Sequence, residues 1–244
     1  MSEIKIEKAT IDSLMFFCFG ITLFDDYDAI LGRVIEKAYN DATNQGAFNT
    51  KADQSAAAIA KYGDNGSVKI IRNRVNLLLS DNDISFDEWH ECTCDELIKI
   101  YSNNNLQDVF SYGNAQKWVN MTLKYLYLLS GISAEYDSEF ISRIIRIRKY
   151  ASELYIPIDS YIIDVLWTDH NVNLPVKEEV HVDRNKNYSV PSIYVKGWSN
   201  WTKAEYLSVN DSVKQMCGLN PMEWEAEKWI SRAKERKKVG YDQS

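Results

Sequence analysis

The segment 108–129, DVFSYGNAQKWVNMTLKYLYLL, limits what this chain can fold into more than any other stretch. It reads as a short apolar helix end at Val109 and Phe110, a tight turn at Gly113, and then a long helix with the period of about 3.6 residues. That helix is apolar almost all round. Ala115, Trp118, Val119, Met121, Leu123, Tyr125, Leu126, Leu128 and Leu129 leave a single polar stripe of Lys117, Asn120, Lys124 and Tyr127, spaced by threes and fours. Such a helix belongs in the middle of a domain, and its stripe is expected to reach water through a surface or a cleft, with Lys117 at its head.

A second segment, PIDSYI at 157–162, completes the pattern. Proline is tolerated in the first turn of a helix, and Ile158, Ile162, Ile163, Val165 and Leu166 supply an apolar face, so the sequence predicts a helix over about 157–167. Asp159 then falls in its first turn, where unpaired backbone N–H groups and the helix dipole favour a carboxylate. A lysine within an apolar helix and a fixed carboxylate can do chemistry together if the fold brings them into contact.

The segment Gly113-Asn114-Ala115-Gln116-Lys117 resembles the hairpin of the helix-hairpin-helix DNA glycosylases, whose pattern is G-x-G-x-K, with Ala115 in place of the second glycine. Pro157-Ile158-Asp159-Ser160-Tyr161-Ile162 resembles the P-V-D-T-H-V segment of the same family, with Tyr161 in place of the histidine. The 8-oxoguanine-glycosylase-like group is the sub-type it is most similar to. Two departures stand beside the matches. Ser111 and Tyr112 precede the glycine where the family has leucine and proline, and the interval from Lys117 to Asp159 has room for an inserted helix.

The resemblance implies a two-lobed helical bundle with the helix-hairpin-helix at about 106–129, acting on DNA that carries a damaged or modified base such as 8-oxoguanine. Lys117 would attack the sugar carbon and Asp159 would assist. Tyr112, Gly113, Asn114, Ala115 and Gln116 would present backbone N–H groups to a DNA phosphate. Trp198 and Trp201 are the candidates for stacking on an extruded base. No cofactor is implied: the iron–sulfur cluster of some relatives needs four closely grouped cysteines, whereas Cys18, Cys92, Cys94 and Cys217 are scattered.

Charge bears on the partner. The formal net charge of −7 opposes a general nucleic-acid coat, because phosphate binding draws on a basic surface. The charge is segregated, however. Residues 141–150 carry Arg143, Arg146, Arg148 and Lys149 without an acid, residues 231–238 are mostly basic, and residues 81–96 are acidic with no lysine or arginine. Arg146 is therefore a further candidate DNA contact.

No secretory leader is read from residues 1–10, which are charged, and the apolar run 14–24 is too short to span a bilayer, so a cytoplasmic protein without membrane contact is expected. The four cysteines show no disulfide framework. His90, Cys92 and Cys94 could ligate zinc, but no second cluster completes such a site, and no metal is expected.

The rest of the chain reads as helix nearly throughout, giving an all-α fold over 1–244. Asp25 or Asp26 can start a helix to about Asn40, Thr50 one that Gly63 stops, and Ser67 one to Leu79. Ser85 with Glu88, Thr93 with Glu96, and Thr202 with Glu205 each carry the S/T-x-x-E signature of a helix start. Asp137 opens a basic helix to about Ser152, Gly218 ends the helix from Thr202, and Asn220-Pro221 starts the last one. The pattern fails only over about 171–198, read as a long irregular loop or short hairpin. Two other functional classes fit the same residues: a DNA-binding module that has lost its chemistry, and a helical protein-interaction protein without a nucleic-acid role.

Overall fold

A computed structural model of the chain describes residues 8–22, 25–43, 48–80, 83–132, 138–177, 194–218 and 220–241. The fold is all-α. Helices α1 (Lys8–Phe19), α2 (Tyr27–Thr43), α3 (Lys51–Tyr62), α4 (Ser67–Leu78) and α5 (Phe86–Asn103) lead to the long α6 (Tyr112–Leu129). Short α7 (Glu139–Ile144) runs into a 3₁₀ helix (Ile145–Tyr150), followed by α8 (Ser160–Thr168), a second 3₁₀ turn (Trp198–Asn200), α9 (Lys203–Cys217) and α10 (Pro221–Tyr241). Among the described residues no helix is long and apolar enough to cross a membrane.

Local chemistry sets most of these boundaries. Asp26 Oδ1 accepts from the N–H groups of Asp28 and Ala29 at the start of α2. Thr50 and Asp53 form a reciprocal capping box on α3, and Thr202 and Glu205 form another on α9. Ser85 Oγ accepts from Glu88 N at the start of α5. Gly218, at φ 67°, supplies the left-handed conformation that ends α9.

Helix α6 is the axis of the molecule and packs most extensively against α2 and α5. Trp118 is completely buried, donates from Nε1 to the Ile35 carbonyl at 2.9 Å, and meets the Tyr39 ring edge-on. Truncating so enclosed an indole to alanine would cost about 3–5 kcal/mol. One apolar cluster runs from Met15 in α1 through α2, α4, α5 and α6 to Met222 in α10.

Four boundaries differ from the sequence expectation. The turn before α6 lies upstream of Gly113: Asn105 takes φ 60°, Leu106 N donates to Tyr101 O, and Phe110 N donates to Leu106 O, so Val109 and Phe110 belong to the turn. Ser111 caps α6 reciprocally with Asn114, which brings Tyr112 and Gly113 into the first helical turn. The Thr93–Glu96 signature starts no helix. It lies inside α5, where Thr93 Oγ1 donates to the Trp89 carbonyl one turn back. Ser138, and not Asp137, which lies outside the described residues, caps α7, and the basic helix tightens to 3₁₀ at Ile145.

Of the expected loop or hairpin at 171–198, the described ends pair once. Val176 and Val195 form an antiparallel bridge, with Lys177 N on Tyr194 O and Lys196 N on Pro175 O. The rest of that segment, including His181, lies outside the described residues.

Candidate functional site

The polar stripe of α6 does not run out to water as the sequence suggests. Lys117, Asn120 and Tyr127 are 5%, 0% and 2% exposed, and each finds its partner on another element. Asn120 Nδ2 donates to the Ile156 carbonyl and to Gln116 Oε1, while its Oδ1 lies 2.9 Å from His90 Nε2; the Tyr206 hydroxyl closes the network. Tyr127 donates to Glu223 and accepts from Asn220 Nδ2. The stripe is an internal polar seam, and its charged members form the site.

Lys117 stands in the second turn of α6. Its Nζ lies 3.9 Å from Asp159 Oδ2 and 4.3 Å from the centroid of the Trp198 ring, a cation–π distance. Burial pushes the amine below the ordinary lysine range. Asp159, then Asp41 and Glu225, oppose that shift, and Lys124 adds to it.

Asp159 is the N-cap of α8, one position outside the helix that the sequence placed it in, and Pro157 precedes the helix. One oxygen is consumed by the cap: Oδ1 accepts from Tyr161 N at 2.9 Å and Ile162 N at 3.1 Å. The other, Oδ2, faces Lys117 and accepts from Trp229 Nε1 at 2.9 Å. The carboxylate plane is therefore fixed on both sides.

Two turns along α6, Lys124 Nζ reaches Glu225 Oε2 of α10 at 2.6 Å. Glu225 is 1% exposed, and burial pushes its carboxyl up to about 7 against the opposing pull of Lys124. The contact is an ion pair by distance, with no hydrogen bond aligned on that oxygen. Helix α10 is held on α8 by Arg232 with Asp169 and Arg236 with Asp164, which sets the register bringing Trp229 to Asp159.

The remaining candidates divide. Tyr112, Asn114, Ala115 and Gln116 are buried, and Gly113 is covered by the 3₁₀ turn Trp198–Asn200. A Cβ on Gly113 would come 2.1 Å from the Trp198 carbonyl oxygen, so glycine is needed here for close backbone approach. The expectation that this segment lies open to a phosphate is corrected by that packing. Gln116 Nε2 donates to the Gly113 carbonyl.

Trp198 faces Lys117, but Trp201 is 1% exposed and donates to the Lys196 carbonyl, a core position and not a stacking platform. Arg146 donates to the Leu79 carbonyl at the end of α4. Beside Trp198 opens a cleft of about 280 Å³, lined in part by Thr43, Asn49, Asp108, Ser111 and Asn114. Trp198, itself buried, thus lines the cleft and also packs on the lysine.

Sequence reasoning missed Glu225 and Trp229 as site residues. Their signal was present: Met222, Glu225 and Trp229 recur at three and four in the last helix, which puts a carboxylate on an otherwise apolar face. Among the described residues no group of three or more histidine, cysteine or acidic side chains is arranged to hold a metal. Helix α5 turns Cys92 to the exposed face, while His90 and Cys94 are buried with the thiol 3.8 Å from His90 Nε2. Comparison with protein-family models, with curated proteins and with solved structures finds no match to this chain.

Proposed function

We propose that the chain is a DNA base-excision glycosylase with abasic-site lyase activity, in which Lys117 is the nucleophile and Asp159 its assisting carboxylate. The observation that carries this reading is the 3.9 Å approach of Lys117 Nζ to Asp159 Oδ2, with the amine buried and its proton affinity lowered. A neutral amine is what nucleophilic attack requires, and desolvation favours that form.

In the proposed reaction the Nζ lone pair adds to C1′ of the target nucleotide. The C1′–N bond to the base breaks, its electron pair leaving with the base, which takes up a proton. Loss of the proton from Nζ and opening of the sugar ring give a Schiff base. Removal of a C2′ proton then expels the 3′ phosphate by β-elimination. Asp159 supplies negative charge beside the sugar as positive charge develops there, and it can accept the amine proton. The nucleotide reaches the amine from the cleft beside Trp198, displacing the indole that covers Nζ.

A second reading is favoured by the charge of −7 and by the full internal pairing of the α6 stripe: a helical interaction protein whose buried ions serve only the fold. A single-turnover assay separates the two. On a duplex with one 8-oxoguanine or abasic site, the glycosylase reading expects strand nicking that Lys117→Gln abolishes and Asp159→Asn lowers by at least about 100-fold. Neither nicking nor salt-sensitive DNA binding would leave the interaction reading.

A further inference from the structure

Helix α10 meets the site with two side chains one turn apart. Trp229 donates to Asp159 Oδ2, the same oxygen that faces Lys117, and Glu225 takes the ammonium of Lys124. Lys117 and Lys124 lie two turns apart on one side of α6, so two ammonium groups and two carboxylates share a single buried seam. Asp159 has only one oxygen free of the helix cap. Were Glu225 absent, the Lys124 ammonium would lose its ion-pair partner and its uncompensated charge would act on Lys117.

We propose that Glu225 and Trp229 are positioning residues for the Lys117–Asp159 pair: Trp229 holds Asp159 Oδ2 and draws on its charge, which limits how strongly that oxygen favours the protonated amine, and Glu225 compensates the Lys124 ammonium that shares the seam. The inference rests on Lys117 being the reactive amine, and it makes α10 part of the site. The basic tail then has a second role. Arg232 and Arg236, through Asp169 and Asp164, lock α10 against α8 so that the indole N–H stays on Asp159.

The groups facing Lys117 from the surrounding elements give the sign of each substitution. From α8 comes Asp159, from α2 Asp41, which is itself paired with Lys37, from α10 Glu225, and from α6 the like charge of Lys124. Replacing Glu225 by glutamine removes a negative charge and leaves Lys124 uncompensated, which disfavours the protonated amine of Lys117. Replacing Trp229 by phenylalanine removes the donor on Oδ2 and leaves that oxygen to Lys117 alone, which favours the protonated amine.

The test is an NMR titration of the full chain labelled with ¹³C at lysine Cε, with the Lys117 signal assigned by its loss in Lys117→Gln. Glu225→Gln moves the Lys117 midpoint down by about 1 pH unit, a tenfold rise in the neutral fraction. Trp229→Phe moves it up, and Glu225→Asp, which keeps the charge, holds it near the wild-type value. A midpoint that stays put in Glu225→Gln or Trp229→Phe, or that climbs to the ordinary lysine range in Glu225→Gln, overturns the proposal. No DNA enters this experiment. The stated shifts in a protein that neither nicks nor traps DNA would therefore sink the glycosylase reading and leave the positioning intact.

Discussion

Trp198 packs on Lys117: the amine sits 4.3 Å from the indole centroid, and the same tryptophan lines the adjoining cleft. The indole is thereby part of the cover that desolvates the lysine. Trp198→Ala should return the Lys117 midpoint toward the ordinary lysine range and speed its modification by a water-soluble amine reagent. The lost packing should cost about 3 kcal/mol in chemical denaturation. Slow modification in that variant would mean that other groups cover the amine.

Gly113 tests the same cover. A methyl group there would meet the Trp198 carbonyl, so Gly113→Ala must push the 3₁₀ turn away from α6. The expected result is a loss of about 1–3 kcal/mol, as for other overpacked sites, together with faster amine modification of Lys117. Ser111→Ala removes both the cap of α6 and the hydrogen bond from Ser111 Oγ to the Ser199 carbonyl of the same 3₁₀ turn, so it should cost about 1–2 kcal/mol and also speed the modification, by less than Gly113→Ala does.

The pH dependence of stability has two opposing components. Burial raises Glu225 from 4.5 to about 7, so between those values the folded state keeps a proton that the unfolded chain has lost, and stability falls as pH rises. Burial lowers His90 from 6.5 to about 4, so between those values the unfolded chain holds the extra proton, and stability rises with pH. The windows overlap from 4.5 to 6.5 and the slopes nearly cancel. Glu225→Gln should therefore unmask a rise in stability of roughly 3 kcal/mol between pH 4 and 6.5, measured by urea denaturation at each pH. A flat profile in that variant would contradict the burial of His90 as a neutral group.

Asn120 binds four elements of the fold to one amide. Asn120→Leu should leave the His90 and Tyr206 polar atoms and the Ile156 carbonyl without it, at a cost of about 2–4 kcal/mol by denaturation. Because the Ile156 carbonyl lies close upstream of Asp159, the same variant should also loosen the approach to α8. A variant as stable as wild type would show that the network is dispensable.

Much of this arrangement was legible in the chain. Helix starts at Thr50, Ser85 and Thr202 follow from side chains that satisfy backbone donors three residues on, a local effect needing no tertiary information. The same signature misled at Thr93, since Trp89 and Leu97 on the buried face of α5 carry the helix straight through it. Lys117 and Asp159 could be singled out by residue type and placement, but what surrounds them could not. The role of Gly113 depends on a carbonyl far along the chain, and the pairing of Lys124 with Glu225 depends on how α10 crosses α6. Those are facts of tertiary approach, and no local pattern encodes them.

The central claim is that Lys117 forms a covalent bond to the sugar of a target nucleotide. Borohydride trapping on DNA duplexes containing an abasic site or 8-oxoguanine tests it directly, with Lys117→Gln and Asp159→Asn in parallel. The account predicts a stable protein–DNA adduct whose tryptic map places the bond on Lys117, absent in the lysine variant and sharply reduced in the aspartate variant. An adduct that persists in Lys117→Gln, or none with the wild-type protein on either substrate, would contradict it.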